Sequence, residues 1–277
     1  MAVSSSRSSP GVILLIIDPQ NDFSDDEGAA LRIPGANDDA QRLGALIDRL
    51  AGRIEGIFVT LDTHQRLDIA HPLFWLDSAG HPPAPLTVIT EQDLASGRWR
   101  PFDPDLYPRA LAYVQALEAH RRYQLRIWPP HCLVGSWGHG LMPAIEGALG
   151  RWEVAQRARV QFLPKGHNPF TEHYSAIQAD VPDANDPTTQ PNQALLKPLT
   201  QARQVLLSGQ AASHCVANTG RDLATQLGAD FMAKVVLLQD TTSSVPGFEA
   251  VTAEFVADMQ QMGMKLARAA DFDPDDL

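Results

Sequence analysis

The sequence predicts an α/β fold, a three-layer α/β/α sandwich with a mostly parallel central sheet and a long inserted loop or lid. Three observations support it: short apolar runs recur, helical patterns alternate with them, and one Pro-, Asp- and Trp-rich stretch breaks the rhythm. The apolar runs are VILLII (12–17), GIFVTL (56–61), RVQFL (159–163), RQVLLS (203–208) and AKVVLL (233–238), the composition expected of strands covered on both faces. Residues 36–53, 108–123, 213–228 and 249–263 place apolar side chains at three- and four-residue intervals, and two of these segments stop at a glycine. Such alternation implies right-handed crossovers between parallel strands, with chemistry at the strands' carboxyl ends.

With 277 residues, 44% of them hydrophobic, the chain has enough material for one domain over 11–270. The interruption sets in near residue 65 and gives an insertion of about 72–124, long for a connection inside a compact domain. Residues 180–192 are expected to form an exposed loop, residues 1–10 to be flexible, and the acidic tail 271–277 to fray. A net charge of −11, from 33 acidic against 22 basic residues, disfavours nucleic-acid and anionic-membrane partners and leaves small molecules as ligands. No apolar run approaches the roughly 20 residues of a membrane span, and the opening MAVSSSRSSP lacks a secretory core, so a cytoplasmic location is expected. The two cysteines, Cys132 and Cys215, are too few for a disulfide scaffold and read as thiols.

Four groups of residues could carry chemistry. Asp18 ends the first apolar run, where a carboxylate serves either as a general base or as a turn cap. Lys165 directly follows another run and is functional only if buried beside other ionisable groups. Cys215 opens a helix, where unpaired N–H groups and the helix dipole favour a thiolate and can stabilise an oxyanion; the alternative is inert packing, to which Cys132 is assigned. Asp62 and His64 stand two residues apart in an extended segment, so both point one way and can share a metal, with His71 or His131 as a third ligand.

In order and context, the motifs IIDPQNDF, DTH, WPPHC, PKG and GQAASHCV, across roughly residues 11–270, resemble the isochorismatase-like cysteine hydrolase superfamily and, within it, the nicotinamidases. The resemblance implies a Rossmann-like sandwich and a catalytic Asp18–Lys165–Cys215 triad. It also implies one divalent metal ion at Asp62, His64 and His131, a choice that displaces His71, with zinc expected ahead of manganese or iron. A cis peptide before Ala211 is implied, with the Ala211 and Cys215 N–H groups as the oxyanion hole. Phe23 and Trp128 are expected around a flat ring, with Gln20 and His214 as further substrate contacts, and the assembly is expected to be a homodimer or homotetramer. The implied reaction converts a small heteroaromatic carboxamide to the carboxylate and ammonia through a thioester.

Three departures from the nicotinamidase pattern bear on substrate: Leu73 stands where a serine follows the H-x motif, His214 stands where Tyr or another bulky residue precedes the nucleophile, and the insertion is longer. Alternative readings are hydrolysis of an N-carbamoyl, ureido or maleamate-like acid, isochorismate-type vinyl-ether hydrolysis, and a non-catalytic binding protein. The Asp/His/His set disfavours the first and Cys215 the second, while an intact Asp, Lys and Cys disfavour the third.

Overall fold

The structure, a computed structural model, describes residues 11–120 and 123–275, so the ten N-terminal residues expected to be flexible lie outside it. The strands are β1 (Val12–Ile17), β2 (Ile54–Asp62), β3 (Trp75–Leu76), β4 (Val88–Ile89), β5 (Arg100–Pro101), β6 (Leu125–Arg126), β7 (Gln161–Lys165), β8 (Gln204–Gly209), β9 (Val235–Leu238) and β10 (Lys265–Ala267). The helices are α1 (Ala36–Arg49), α2 (Glu91–Ala95), α3 (Tyr107–His120), α4 (Pro143–Gln156), α5 (Gln193–Gln201), α6 (Ala217–Met232) and α7 (Glu249–Gln261). Six strands form one sheet in the order β10-β9-β8-β1-β2-β7, every neighbouring pair parallel.

Every residue of β1, β8 and β9 is buried, which requires cover on both faces of the sheet. Helix α1 packs on α4 and α6 on α7. The register sets Leu14 between Ile57 and Leu206, so the centre of the sheet is a row of branched aliphatic side chains. Helix α1 turns Ala36, Ala40, Leu43 and Ile47 inward along one stripe.

The structure corrects the sequence reading in several places. β7 has a largely exposed pattern, because it is the sheet's edge; Phe162 is 46% exposed and Pro164 is tolerated there. β7 also runs two residues further than the apolar run, so Lys165 ends the strand instead of following it. β10, α4 and α5 were not expected. β10 has only three half-buried residues, and α4 carries its core face as Ile145, Ala148, Leu149 and Trp152 behind a proline start. In α6 the helical dihedrals break at Gly228, where the sequence sets the end, but helical turns resume to Met232.

The insertion is structured: β3 pairs with β5 and β4 with β6, and Phe74, Trp75, Ile89, Leu94 and Val114 join the main core. The described part of the acidic tail makes contacts with the body of the fold. Arg49 donates to the Phe272 and Ala269 carbonyls at 2.9 and 2.6 Å, and Arg53 pairs with Asp273 and Asp275.

Strand order reverses at β1. The chain runs from β1 to β2 on one side and returns as β8 on the other, which opens a crevice at the carboxyl ends of these strands.

Candidate active site

Asp18 lies immediately beyond β1 with φ of +43°, a left-handed conformation uncommon outside glycine. Thr60 of β2 holds it there. The Asp18 N–H donates to Thr60 Oγ1 at 3.0 Å, and that hydroxyl donates to Asp18 Oδ1 at 2.6 Å. Lys165 reaches from β7 across β2, its Nζ 2.9 Å from Asp18 Oδ2 and 3.1 Å from Asp62 Oδ1, and donates to the His173 carbonyl at 2.8 Å. Three oxygens thus match its three protons, and Cys215 Sγ lies 3.8 Å away. Gly166 makes the turn after Lys165 with φ of +80°; a Cβ there would stand 2.9 Å from Asp62 Oδ1.

Cys215 sits in a π-turn, Ala212–Val216, between β8 and α6. The Gln210–Ala211 peptide bond is cis. Gln210 is pinned on both sides of its amide, donating to Asp39 Oδ2 at 3.0 Å and accepting from the Ser243 N–H at 3.2 Å. The preceding Gly209 has φ of +108° and passes so close to the Ile17 backbone that no Cβ fits. Among the described residues the Ala211 N–H has no acceptor.

Burial sets the proton balance of this group. Burial alone would lower the Lys165 pKa, but the charges of Asp18 and Asp62 outweigh it and hold the ammonium well above its usual range. Asp62 is pushed up by burial, yet His64 and Lys165 pull it well below the carboxylate range. For Asp18 burial prevails over the attraction of Lys165, so its pKa is raised. The Cys215 thiol is pushed well up, first by burial, with Asp18 and Asp62 adding to it against Lys165. The resting sulfur is therefore a thiol, where the helix-start argument favours a thiolate. The reason is that Cys215 is only 5% exposed and faces two carboxylates.

Asp62 also forms one wall of a second cluster. Its Oδ2 is 3.2 Å from His64 Nε2 and 3.4 Å from His131 Nε2, and His64, His71 and His131 bring one ring nitrogen each to within 4.8 Å of the others. Each imidazole is anchored through Nδ1, His64 by Asp68 at 3.1 Å, His71 by the Gln65 carbonyl at 3.1 Å and His131 by the Pro129 carbonyl at 2.9 Å. That anchoring fixes the ring orientation and leaves Nε2 for a cation. His71 Nε2 is buried with no hydrogen-bond partner, and His64 Nε2 faces only the Asp62 and Glu172 carboxylates. Three nitrogens and a carboxylate oxygen fit a divalent metal. His71, set aside in favour of His131 by the sequence resemblance, stands in this group beside it.

Phe23 and Trp128 sit at this end of the sheet, Phe23 edge-on to His131 at 5.4 Å and Trp128 edge-on to His214 at 5.1 Å. Gln20, expected to contact substrate, has its amide committed to backbone. It donates to the Asp62 and His139 carbonyls at 2.8 and 3.1 Å and accepts from the Asp62 N–H at 2.7 Å, so it orients Asp62. Glu172 was not flagged by sequence. It is 3% exposed, its Oε1 lies 3.7 Å from His64 Nε2, its Oε2 has no partner, and burial lifts its pKa to about 7. Thr60 and Asp68 were missed as well; they bond within the site, and no motif marks them.

Among the described residues no helix is long and apolar enough to cross a membrane. Neither family models nor curated proteins give a match to this chain. Solved structures do. A nicotinamidase/pyrazinamidase of Acinetobacter baumanii aligns over 96% of this chain and 99% of its own at 20% identity, with a TM-score of 0.63. A PnC1 of L. infantum in complex with nicotinate aligns over 95% of each chain at 21% identity and a TM-score of 0.58. The pyrazinamidase of Pyrococcus horikoshii in complex with zinc aligns over 94% of this chain and 99% of its own, at 18% identity and a TM-score of 0.54. The α/β architecture is the one these proteins share.

Proposed function

We propose that this chain, built on the fold of nicotinamidases and pyrazinamidases, hydrolyses a small heteroaromatic carboxamide to the carboxylate and ammonia through a thioester on Cys215. The observation that carries the reading is the meeting of Asp18, Lys165 and Cys215 from three separate strand ends, with Lys165 Nζ 2.9 Å from the carboxylate and 3.8 Å from the sulfur.

Because the resting group pairs a thiol with a carboxylate of raised pKa, Asp18 is suited to take the proton as sulfur attacks the amide carbon. Lys165 stays charged throughout and balances first the carboxylate and then the sulfur. The carbonyl oxygen, negative in the tetrahedral intermediate, is met by the Ala211 and Cys215 N–H groups. Asp18 returns the proton to the leaving nitrogen, and ammonia departs. Water then attacks the thioester, with Asp18 again accepting a proton; the C–S bond breaks, the carboxylic acid departs and ionises, and Asp18 returns its proton to the Cys215 sulfur. Asp62, His64, His71 and His131 would hold a divalent ion, which would supply Lewis-acid polarisation and orientation for the substrate. Phe23 and Trp128 flank the ring.

Ammonia release from a panel of primary carboxamides, nicotinamide and pyrazinamide included, tests the proposal. Wild-type enzyme is expected to release ammonia from at least one of them and to carry the matching acyl mass on Cys215 when quenched. Turnover that survives Cys215→Ala would remove the covalent route.

A further inference from the structure

A cavity of about 240 Å³ lies beside the residue that precedes the nucleophile. Trp128, His214 and Phe248 form aromatic walls, and Arg126, Arg221 and Asn218 supply its polar lining. His214 and Phe248 meet at 4.8 Å, and His214 and Trp128 at 5.1 Å, so the walls are continuous.

Three features mark what this space would hold. Among the described residues its lining includes two arginines and no carboxylate, in a chain of net charge −11. The Arg126 guanidinium is pre-positioned, donating to the Leu86 carbonyl at 3.0 Å and standing 5.1 Å from the centre of the Phe248 ring. Asn218, 3% exposed, uses its Nδ2 on the His214 carbonyl, while its Oδ1 has no partner. Guanidinium groups beside flat apolar walls favour an anion carried on a planar framework. His214 cannot supply the positive charge itself, since burial and the nearby Arg126 bring its pKa down to about 4.

We infer that this cavity is a subsite for an anionic arm of the substrate: the amide cleaved at Cys215 carries, on the side of His214, a carboxylate or phosphate received by Arg126 and Arg221. The inference rests on the amide-hydrolase reading above and narrows it from neutral amides to acidic ones. It also gives His214 and Phe248 a purpose, as aromatic walls against the framework that carries the charge.

Calorimetric binding to zinc-loaded, full-length Cys215→Ala enzyme tests this without requiring turnover. The probes are nicotinamide, 5-carbamoylnicotinate, 3-carbamoylphenyl phosphate and inorganic phosphate. At low salt, one of the two acidic amides is expected to bind at least about tenfold tighter than nicotinamide, and which one wins distinguishes carboxylate from phosphate. The added changes Arg126→Gln and Arg221→Gln should bring that ratio to near one, while Lys at both positions should keep most of it; a thermal melt confirms that each variant is folded. Equal affinity for neutral and acidic amides, or a preference that survives the Gln pair, overturns the subsite. So does inorganic phosphate binding as tightly as the acidic amides, since the framework would then contribute nothing. Wild-type ammonia release is read separately. Tight acidic probes with no turnover of any amide would sink the hydrolase and leave the anion pocket, whereas turnover of nicotinamide with no charge preference would do the reverse.

Discussion

Lys165 is the residue on which the site's charge balance depends. Its ammonium lies between the Asp18 and Asp62 carboxylates with 4% of the residue exposed, so its removal leaves two buried negative charges facing each other. Lys165→Met is expected to lower stability by about 3–5 kcal/mol in a urea titration, the usual cost of stripping one partner from a buried pair. A change below about 1 kcal/mol would mean that the carboxylates share a proton. Asp18 sets the acid limb of activity. It must be ionised to accept the thiol proton, and burial raises its pKa above 3.8, so kcat/KM should fall as pH drops through a value above the ordinary carboxylate range. In Asp18→Asn this limb should vanish along with nearly all turnover. At this scale the sequence was informative about residue identity and poor about state. The motifs placed Asp18, Asp62, His64, Lys165 and Cys215 at or just beyond strand ends and supplied His131 by resemblance, and the fold gathers all six. The thiol, the place of His71 and the buried Glu172 depend on which groups face one another across strands that are distant in the chain, and no spacing encodes that.

Among the elements, the turn from β8 into the π-turn of Cys215 has the least tolerance. Gly209→Ala would drive a methyl group into the Ile17 backbone, and the variant is expected to lose activity and melt well below wild type. Circular dichroism melts and ammonia assays measure both. The C-terminal segment makes a milder case: Arg49→Ala would free two carbonyls of the tail, with an expected loss of about 1–2 kcal/mol and activity retained. Central strands were readable because burial on both faces leaves an unbroken apolar run. β7 was readable only in part and β10 not at all, since edge strands bury too little to leave such a run. Helix α4 escaped notice because its glycines and charged residues dilute the inward stripe of Ile145, Ala148, Leu149 and Trp152.

For the molecule as a whole, three buried histidines and several buried carboxyls shape the response to acid in opposite senses. Burial lowers His71 and His173 to about 3 and His214 to about 4, against an ordinary 6.5. The unfolded chain therefore takes up protons below about pH 6.5 that the folded chain refuses, and the stability these groups contribute is complete above that pH and lost as pH falls toward 4 and 3. Glu172, lifted by burial to about 7, acts in the opposite sense over the same range, so Glu172→Gln is expected to make the urea midpoint fall more steeply than in wild type between about pH 6.5 and pH 4.5, and an unchanged slope would contradict the burial of that carboxyl. Purified protein should retain about one zinc per chain by elemental analysis, and His64→Ala with His131→Ala should abolish it.

Asp62 divides its two oxygens between neighbours of different kinds, one toward the Lys165 ammonium and one toward the imidazoles. A single carboxylate has a fixed supply of electron density, so whatever draws on it from the histidine wall loosens its hold on the lysine. Alkylation of Cys215 should therefore proceed at a different rate when the imidazole side is occupied than when it is stripped. In Asp62→Asn that difference should disappear.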